Sequence, residues 1–150
     1  MTKKELIQKA EKDWYFGSWR HPAELLSSVI CEDEKIFGDL FCGFEKGQVD
    51  GHEDIVKETY HIITNTRYLI FEVGIENSEI TSTTLNNNSK ISCIVEEYTG
   101  KHSSYRVKIY MGSDDIILEF SSEDFAKNNR GKELRDFMTI IYQSTYSHQE

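Results

Sequence analysis

Apolar and polar residues alternate most regularly in the middle of the chain, at residues 57–64 and 67–73. In the second of these runs Leu69, Phe71 and Val73 fall on one face of an extended chain, as a half-buried β-strand requires. A polar Thr-Asn-Thr-Arg corner separates the two runs, and asparagine tolerates the backbone angles of a tight turn. The pattern therefore predicts two neighbouring antiparallel strands.

The same period of two recurs over much of the remaining sequence. It predicts further strands at residues 35–45, 80–85, 91–98, 105–111 and 116–120. With the central pair this makes about seven antiparallel strands, which are joined by short polar turns. The acidic stretch 45–54, which separates the first strand from the second, is interpreted as a solvated loop.

The period changes to about 3.6 residues at both ends of the chain, which indicates helices. The predicted helices lie at residues 3–14, 22–31, 123–127 and 132–145. The last has the widest apolar stripe, and such a helix can cover the open end of a strongly bent sheet. The predicted fold class is α+β, mainly β: a bent sheet or barrel of about seven strands, capped by a C-terminal amphipathic helix and preceded by one or two short helices.

Length and composition favour one globular domain. A chain of 150 residues can bury a core of its own, and one proline with nine scattered glycines leaves no linker. We expect a helical and aromatic N-terminal arm at residues 1–21, a folded domain at 22–146 and a frayed tail at 147–150.

The formal net charge of -9 narrows the classes of partner. Nucleic acids and anionic membranes attract basic surfaces. Because the lysines and arginines are dispersed, neither is expected as a partner. The first residues become charged too soon for a signal peptide, and no apolar run approaches the ~20 residues of a membrane-spanning helix. We expect a cytoplasmic protein.

Three stretches resemble the bacterial pleckstrin-homology-like (PH-like) domains and, more loosely, the eukaryotic PH and GRAM domains. They are Asp-Glu-Lys-Ile at 33–36, the Thr-Asn-Thr-Arg corner with its flanking strands at 63–71, and Ile-Leu-Glu-Phe at 117–120; the resemblance extends over about residues 23–146. It implies an adaptor or self-assembling role, because bacterial relatives of this type form ring-like oligomers. It does not imply phosphoinositide binding, since the acidic stretch 45–54 would repel phosphate where that ligand needs basic residues. The closing helix also lacks the tryptophan that is usual in eukaryotic PH domains.

The sequence contains no motif for a metal or a cofactor. Cys31, Cys42 and Cys93 are too far apart for a zinc or redox pair. Cys42 and Cys93 fall in phase with apolar strand positions, which predicts that they are buried. The acidic run 50–54 lacks the ligand spacing of an EF-hand. We predict no metal and no cofactor.

An enzyme is not expected either. The sequence has no nucleophile elbow and no phosphate-binding glycine loop. His61 beside Cys93 is the remaining idea for a base and a nucleophile, and no spacing brings them together. We interpret His61 as a sheet-surface residue or as a core residue hydrogen-bonded to a backbone carbonyl.

Aromatic residues supply the candidates for binding. The cluster from Trp14 to Trp19 either packs onto the domain or contacts a partner, and the strand tyrosines form either one surface patch or ordinary cross-strand pairs. The candidate partner- or ligand-binding residues are Trp14, Tyr15, Phe16, Trp19, Tyr60 and Tyr68. The leading hypothesis is a non-enzymatic binding or adaptor domain, which contacts a protein partner or a second copy of itself through a strand edge or the N-terminal arm. The alternative is a carrier or sensor of a small apolar ligand or lipid in the mouth of the sheet.

Overall fold

The computed structural model describes residues 1–16, 22–84, 89–99, 102–111, 116–121 and 131–147. The chain forms two compact units, Met1–Thr83 and Thr84–Glu150. Both units combine antiparallel strands with helix, so the fold is α+β and mainly β, as predicted. No helix in the described ranges is long and apolar enough to cross a membrane.

The first unit is built from helices α1 and α2 and strands β1 to β4. They are α1 (Lys3–Asp13), α2 (Pro22–Val29), β1 (Ile36–Val49), β2 (His52–Thr64), β3 (Arg67–Gly74) and β4 (Ser78–Thr84). The strands form one antiparallel sheet in the order β1-β2-β3-β4. Within the described residues β1 and β4 are its edges, so this sheet is open and the predicted alternative of a barrel is wrong for it.

The central pair of strands is confirmed. Strands β2 and β3 pair antiparallel over residues 57–63 and 68–74, around the predicted polar corner. The three residues predicted to share the core face of β3 are fully buried: Leu69, Phe71 and Val73. The regular alternation of this segment therefore predicts both the strand and the face on which Leu69, Phe71 and Val73 are buried.

A hairpin of β1 and β2 replaces the predicted acidic loop. Strand pairing continues to Val49 and His52, so the interpretation of 45–54 as a solvated loop is wrong. Asp50 and Gly51 make the turn, with φ angles of 52° and 81°. Asp-Gly with two positive φ angles is typical of a two-residue hairpin turn. This local signal decides the structure despite the high charge of the segment.

Strand β1 is irregular along its length. Its register with β2 shifts at residues 36–38, 41–43 and 45–46. Gly43 has a φ angle of 137°, which side-chain-bearing residues rarely adopt, so glycine is needed at this shift. Each shift bends the strand and increases its twist.

The two helices and the segment after α1 form a core against one face of the sheet. Helix α1 begins with a capping box in which Thr2 and Glu5 exchange hydrogen bonds, and Lys9 binds Asp39 of β1 at 2.7 Å. The buried core residues are Leu6, Ala10, Trp14, Phe16, Leu26, Ile30, Ile36, Tyr60, Ile62, Leu69, Phe71 and Val73. The described part of the N-terminal arm, residues 1–16, therefore packs onto the sheet.

The second unit contains strands β5 to β7 and a long helix. They are β5 (Ser89–Thr99), β6 (His102–Met111), β7 (Ile116–Ser121) and α3 (Gly131–Ser147). The strands pair antiparallel in the order β5-β6-β7, and α3 contacts β5. The apolar stripe of α3 is buried at Leu134, Phe137, Met138 and Ile141. The predicted turn of helix at 123–127 lies outside the described residues, as do the side chains of β5 to β7.

Candidate partner-binding surface

Trp14 fixes the end of α1 to the sheet. Its ring stacks on Tyr60 of β2, with centroids 3.8 Å apart and an interplanar angle of 13°, and it meets Phe71 at 5.3 Å. Trp14 is 4% exposed and Phe16 is fully buried. Large aromatic rings bury much apolar surface and stabilise a core accordingly. Three predicted binding residues, Trp14, Phe16 and Tyr60, thus lie in the core, where a partner cannot contact them without unfolding the unit.

A buried carboxylate holds the backbone that follows α1. Glu58 is 2% exposed, and it accepts hydrogen bonds from the backbone N–H groups of Tyr15 at 3.3 Å and Phe16 at 3.2 Å. Burial raises the pKa of Glu58, an effect that the two N–H donors and the Tyr60 hydroxyl oppose. The carboxylate therefore ties the aromatic segment to β2, because it supplies acceptors to two backbone N–H groups that follow the helix.

Tyr15 lies on the surface between two buried neighbours. The backbone at Trp14 is extended, so side chains alternate, and Tyr15 is 49% exposed. Its hydroxyl donates to Asp54 Oδ1 at 3.2 Å. This hydrogen bond and the charge of Asp54 raise the pKa of Tyr15. With its backbone at Glu58 and its hydroxyl at Asp54, the Tyr15 side chain lies along β2.

Phe44 provides a second exposed ring, on the strand that pairs with Glu58. Its Cα lies opposite that of Glu58, so both side chains project from the same face of the sheet. Phe44 is 51% exposed, and the Lys46 ammonium lies 5.8 Å from its ring centroid. Glu58 also binds the Tyr15 backbone, so both residues with exposed rings lie around the same carboxylate. We call them the Tyr15–Phe44 surface.

The Tyr15–Phe44 surface lies at the base of a two-stranded ribbon. The pairs between residues 46–49 and 52–55 extend beyond the last pair of β2 with β3, at Lys57 and Gly74. We call residues 45–56 the β1–β2 ribbon. Its charged residues are Glu45, Lys46, Asp50, Glu53 and Asp54, and all of them are exposed. Four carboxylates against one ammonium make the ribbon acidic.

His61 and Tyr68 lie on the opposite face of the sheet from Tyr60. Both are buried, and His61 Nδ1 is 2.8 Å from the Tyr68 hydroxyl. Burial lowers the pKa of His61 to about 4, so its imidazole is neutral at physiological pH. His61 is a core residue, as one of the two interpretations predicted, but its partner at Nδ1 is a tyrosine hydroxyl and not the predicted backbone carbonyl. Tyr60 and Tyr68 do not form one patch, because they project from opposite faces.

Arg67, at the polar corner of β2 and β3, binds a buried carboxylate that the sequence did not single out as a site. Its Nε donates to Glu34 Oε2 at 2.9 Å, and its Nη2 donates to the other carboxylate oxygen and to the Val29 carbonyl. Hydroxyl groups of Thr64 and Thr66 also donate to Glu34. Burial alone would raise the pKa of Glu34, but these hydrogen bonds, above all that from Arg67, lower it to about 2. We call this cluster the Glu34–Arg67 corner.

A shallow groove lies between α2 and the turn from β3 to β4. It has a volume of about 490 Å³ and is lined by Glu24, Leu25, Ser28, Gly74, Ile75, Glu76, Asn77 and Ser78. Two carboxylates, an amide and two hydroxyls make the lining mostly polar. An apolar ligand or lipid tail needs a mainly apolar wall, which this groove does not offer.

The remaining candidates are placed as follows. Trp19 lies outside the described residues, and so does the side chain of Cys93. Cys31 is exposed, and Cys42 is half-buried. Cys42 is therefore less buried than predicted, although Leu40 on the same strand is 2% exposed. Where side chains are described, no group of three or more His, Cys, Asp or Glu residues is placed to hold a metal ion.

Comparisons with known proteins were made at three levels. No family model, no curated protein and no solved structure matches the chain. The function of the Tyr15–Phe44 surface must therefore be inferred from its contacts, its exposure and its charge.

Proposed function

We propose that the chain is a non-enzymatic PH-like domain that binds a protein partner through the Tyr15–Phe44 surface. The order of elements supports the PH-like part of the proposal: four antiparallel strands, then three antiparallel strands, then a long C-terminal helix. The helix has the buried apolar stripe that a capping role requires. The proposal includes a cytoplasmic location, as expected from the sequence.

Two half-exposed aromatic rings support the binding part of the proposal. Tyr15 and Phe44 are 49% and 51% exposed, although the same segment and the same sheet bury Trp14 and Phe16. A ring left partly in water lacks part of the stabilisation that burial gives. Exposed aromatic residues of this kind are enriched at the centres of protein interfaces. A partner that covers both rings would gain this stabilisation on binding.

Two other features, His61 and the groove beside α2, give little support to catalysis or to lipid transport. His61 is buried and close to the Tyr68 hydroxyl, so it is poorly placed to take a proton from a substrate in solvent. The groove beside α2 is polar and shallow. Neither feature favours an enzyme or a carrier over a binding domain.

A capture experiment with the full chain tests the proposal. Tagged wild-type chain is compared with the double variant Tyr15→Ser/Phe44→Ser and with the control Phe37→Ser. Phe37 is 46% exposed on the same strand as Phe44, so the control removes one ring of similar exposure elsewhere. Deletion of the arm is unsuitable, because removal of Trp14 and Phe16 would open the core.

We expect wild type and control to recover the same proteins, and the double variant to recover about tenfold less of them. Light scattering of the three proteins reports in parallel whether the partner is a second copy of the chain. In that case the measured mass would fall only in the double variant. Equal recovery and equal mass for three folded proteins would contradict the proposal.

A further inference from the structure

We infer that the partner contributes a basic segment, in which lysine or arginine residues flank one or two apolar side chains. The inference rests on the proposed function and adds the chemistry of the partner. It depends on the charges that surround the Tyr15–Phe44 surface.

The β1–β2 ribbon carries negative charge that the described residues around it compensate only in part. The Lys57 ammonium lies 3.6 Å from the Glu45 carboxylate, so Glu45 has a cation nearby. Asp50, Glu53 and Asp54 form no ion pair with any residue that the structure describes. Like charges held together on an exposed ribbon produce a negative potential that attracts cations.

The ring of Phe44 already attracts a cation. The Lys46 ammonium lies 5.8 Å from its centroid, which is within the range of a cation–π interaction. A guanidinium group from a partner can stack on such a ring and bind a carboxylate at the same time. Arginine next to an apolar residue therefore matches both the rings and the acidic ribbon.

The same charges disfavour a second copy of the chain as the occupant. In a two-fold dimer built on the Tyr15–Phe44 surface, the same patch of each copy would meet its equivalent. Each copy brings four carboxylates and one ammonium on its ribbon, and a net charge of -9 overall. Like charges across an interface weaken association. A basic segment of another protein meets no such repulsion.

The inference can be tested by peptide selection. The full chain serves as bait for a displayed library of random linear peptides. Enriched peptides are synthesised, and their affinities are measured by fluorescence anisotropy at low and high salt. The ribbon variant Asp50→Asn/Glu53→Gln removes charge without changing the rings, and asparagine tolerates the positive φ at position 50. The matched control Glu76→Gln/Glu79→Gln removes the same charge from exposed positions elsewhere.

We expect the enriched peptides to be basic, to contain an apolar residue and to bind less tightly as salt rises. The ribbon variant should weaken their binding about fivefold, and the control should not. Neutral or acidic peptides, or equal affinities for ribbon variant and control, would overturn the basic partner. The proposed function would stand in either case if the enriched peptides bound the double variant Tyr15→Ser/Phe44→Ser more weakly than they bound the wild-type chain. Peptides that bind this double variant as tightly as wild type, or a selection that enriches nothing, would overturn both.

Discussion

The two ends of the first sheet use charge in opposite ways. At the Glu34–Arg67 corner, one buried carboxylate accepts hydrogen bonds from a guanidinium and two hydroxyl groups. At the other end, the β1–β2 ribbon carries exposed carboxylates beside two half-exposed rings. The corner matches its charge within the protein, whereas the ribbon leaves charge and apolar surface exposed.

Under the proposed function, this difference separates a structural use of charge from its use in binding. A carboxylate buried beside a guanidinium destabilises the fold if its partner is removed. A two-stranded ribbon with exposed side chains has few packed contacts to lose. We therefore expect substitutions at the corner to change folding, and substitutions on the ribbon to change binding.

Breaking the corner should have the largest effect. Arg67→Ala leaves Glu34 buried without its cation, and we expect the free energy of unfolding to fall by about 3 kcal/mol in urea denaturation. The control Lys57→Ala removes a partly exposed lysine near Glu45 and Glu72, and it should cost less than about 1 kcal/mol. Equal losses would mean that the corner is no more important to the fold than a surface pair.

Removal of the carboxylate at the base of the ribbon should come next. Glu58→Ala leaves the backbone N–H groups of Tyr15 and Phe16 without an acceptor, and we expect a loss of about 2 kcal/mol. Hydrogen exchange at these two amides should become faster. Glu53→Ala, at an exposed position on the same strand, should stay within about 0.5 kcal/mol of wild type. Unchanged protection of the Phe16 amide in Glu58→Ala would show that another contact holds the arm.

Acid should lower the stability of the fold through His61, which is buried between the Glu34–Arg67 corner and the β1–β2 ribbon. The folded-state pKa of His61, about 4, lies below the ordinary value of 6.5. The unfolded chain therefore binds the proton first, so the contribution of His61 is complete above about pH 6.5 and is lost as the pH falls towards 4. We expect the free energy of unfolding to drop by about 1 kcal/mol between about pH 7.5 and 5.5. The variant His61→Gln should lack this loss of stability. If the variant lost as much stability over this pH range as wild type, another titratable group would be responsible.

The smallest effect on stability is expected at the exposed ring itself. Phe44→Ser should change the free energy of unfolding by less than about 0.5 kcal/mol. Phe41, on the same strand, packs against Tyr60 with centroids 5.3 Å apart, so Phe41→Ser should cost about 2 kcal/mol or more. Thermal and urea denaturation of the two variants measure the contrast. If both variants lost the same stability, Phe44 would belong to the core and its binding role would be lost.

The elements whose signals lie within a few residues could be predicted from the sequence. The helical stripe at 132–145, the alternation along β3 and the proline at the start of α2 are local patterns, and each element forms where expected. The Asp50-Gly51 turn is local as well. There the turn-forming pair outweighs the charge density of the segment, which had indicated a loop.

Contacts between distant residues could not be predicted in the same way. Glu34 and Arg67 are 33 positions apart, and no spacing in the sequence brings them together. The aromatic arm belongs to the same class, because three consecutive aromatic residues, Trp14, Tyr15 and Phe16, give no local sign of which side chain the sheet leaves exposed.

The irregular course of β1 limits how another chain can attach at that edge. Addition of a strand needs an unbroken row of evenly spaced amide and carbonyl groups. The register shifts at 36–38, 41–43 and 45–46 interrupt such a row on an edge strand of the sheet. Growth of the sheet at this edge by copying its own backbone is thereby hindered, and a partner of the proposed kind would have to be recognised there through side chains.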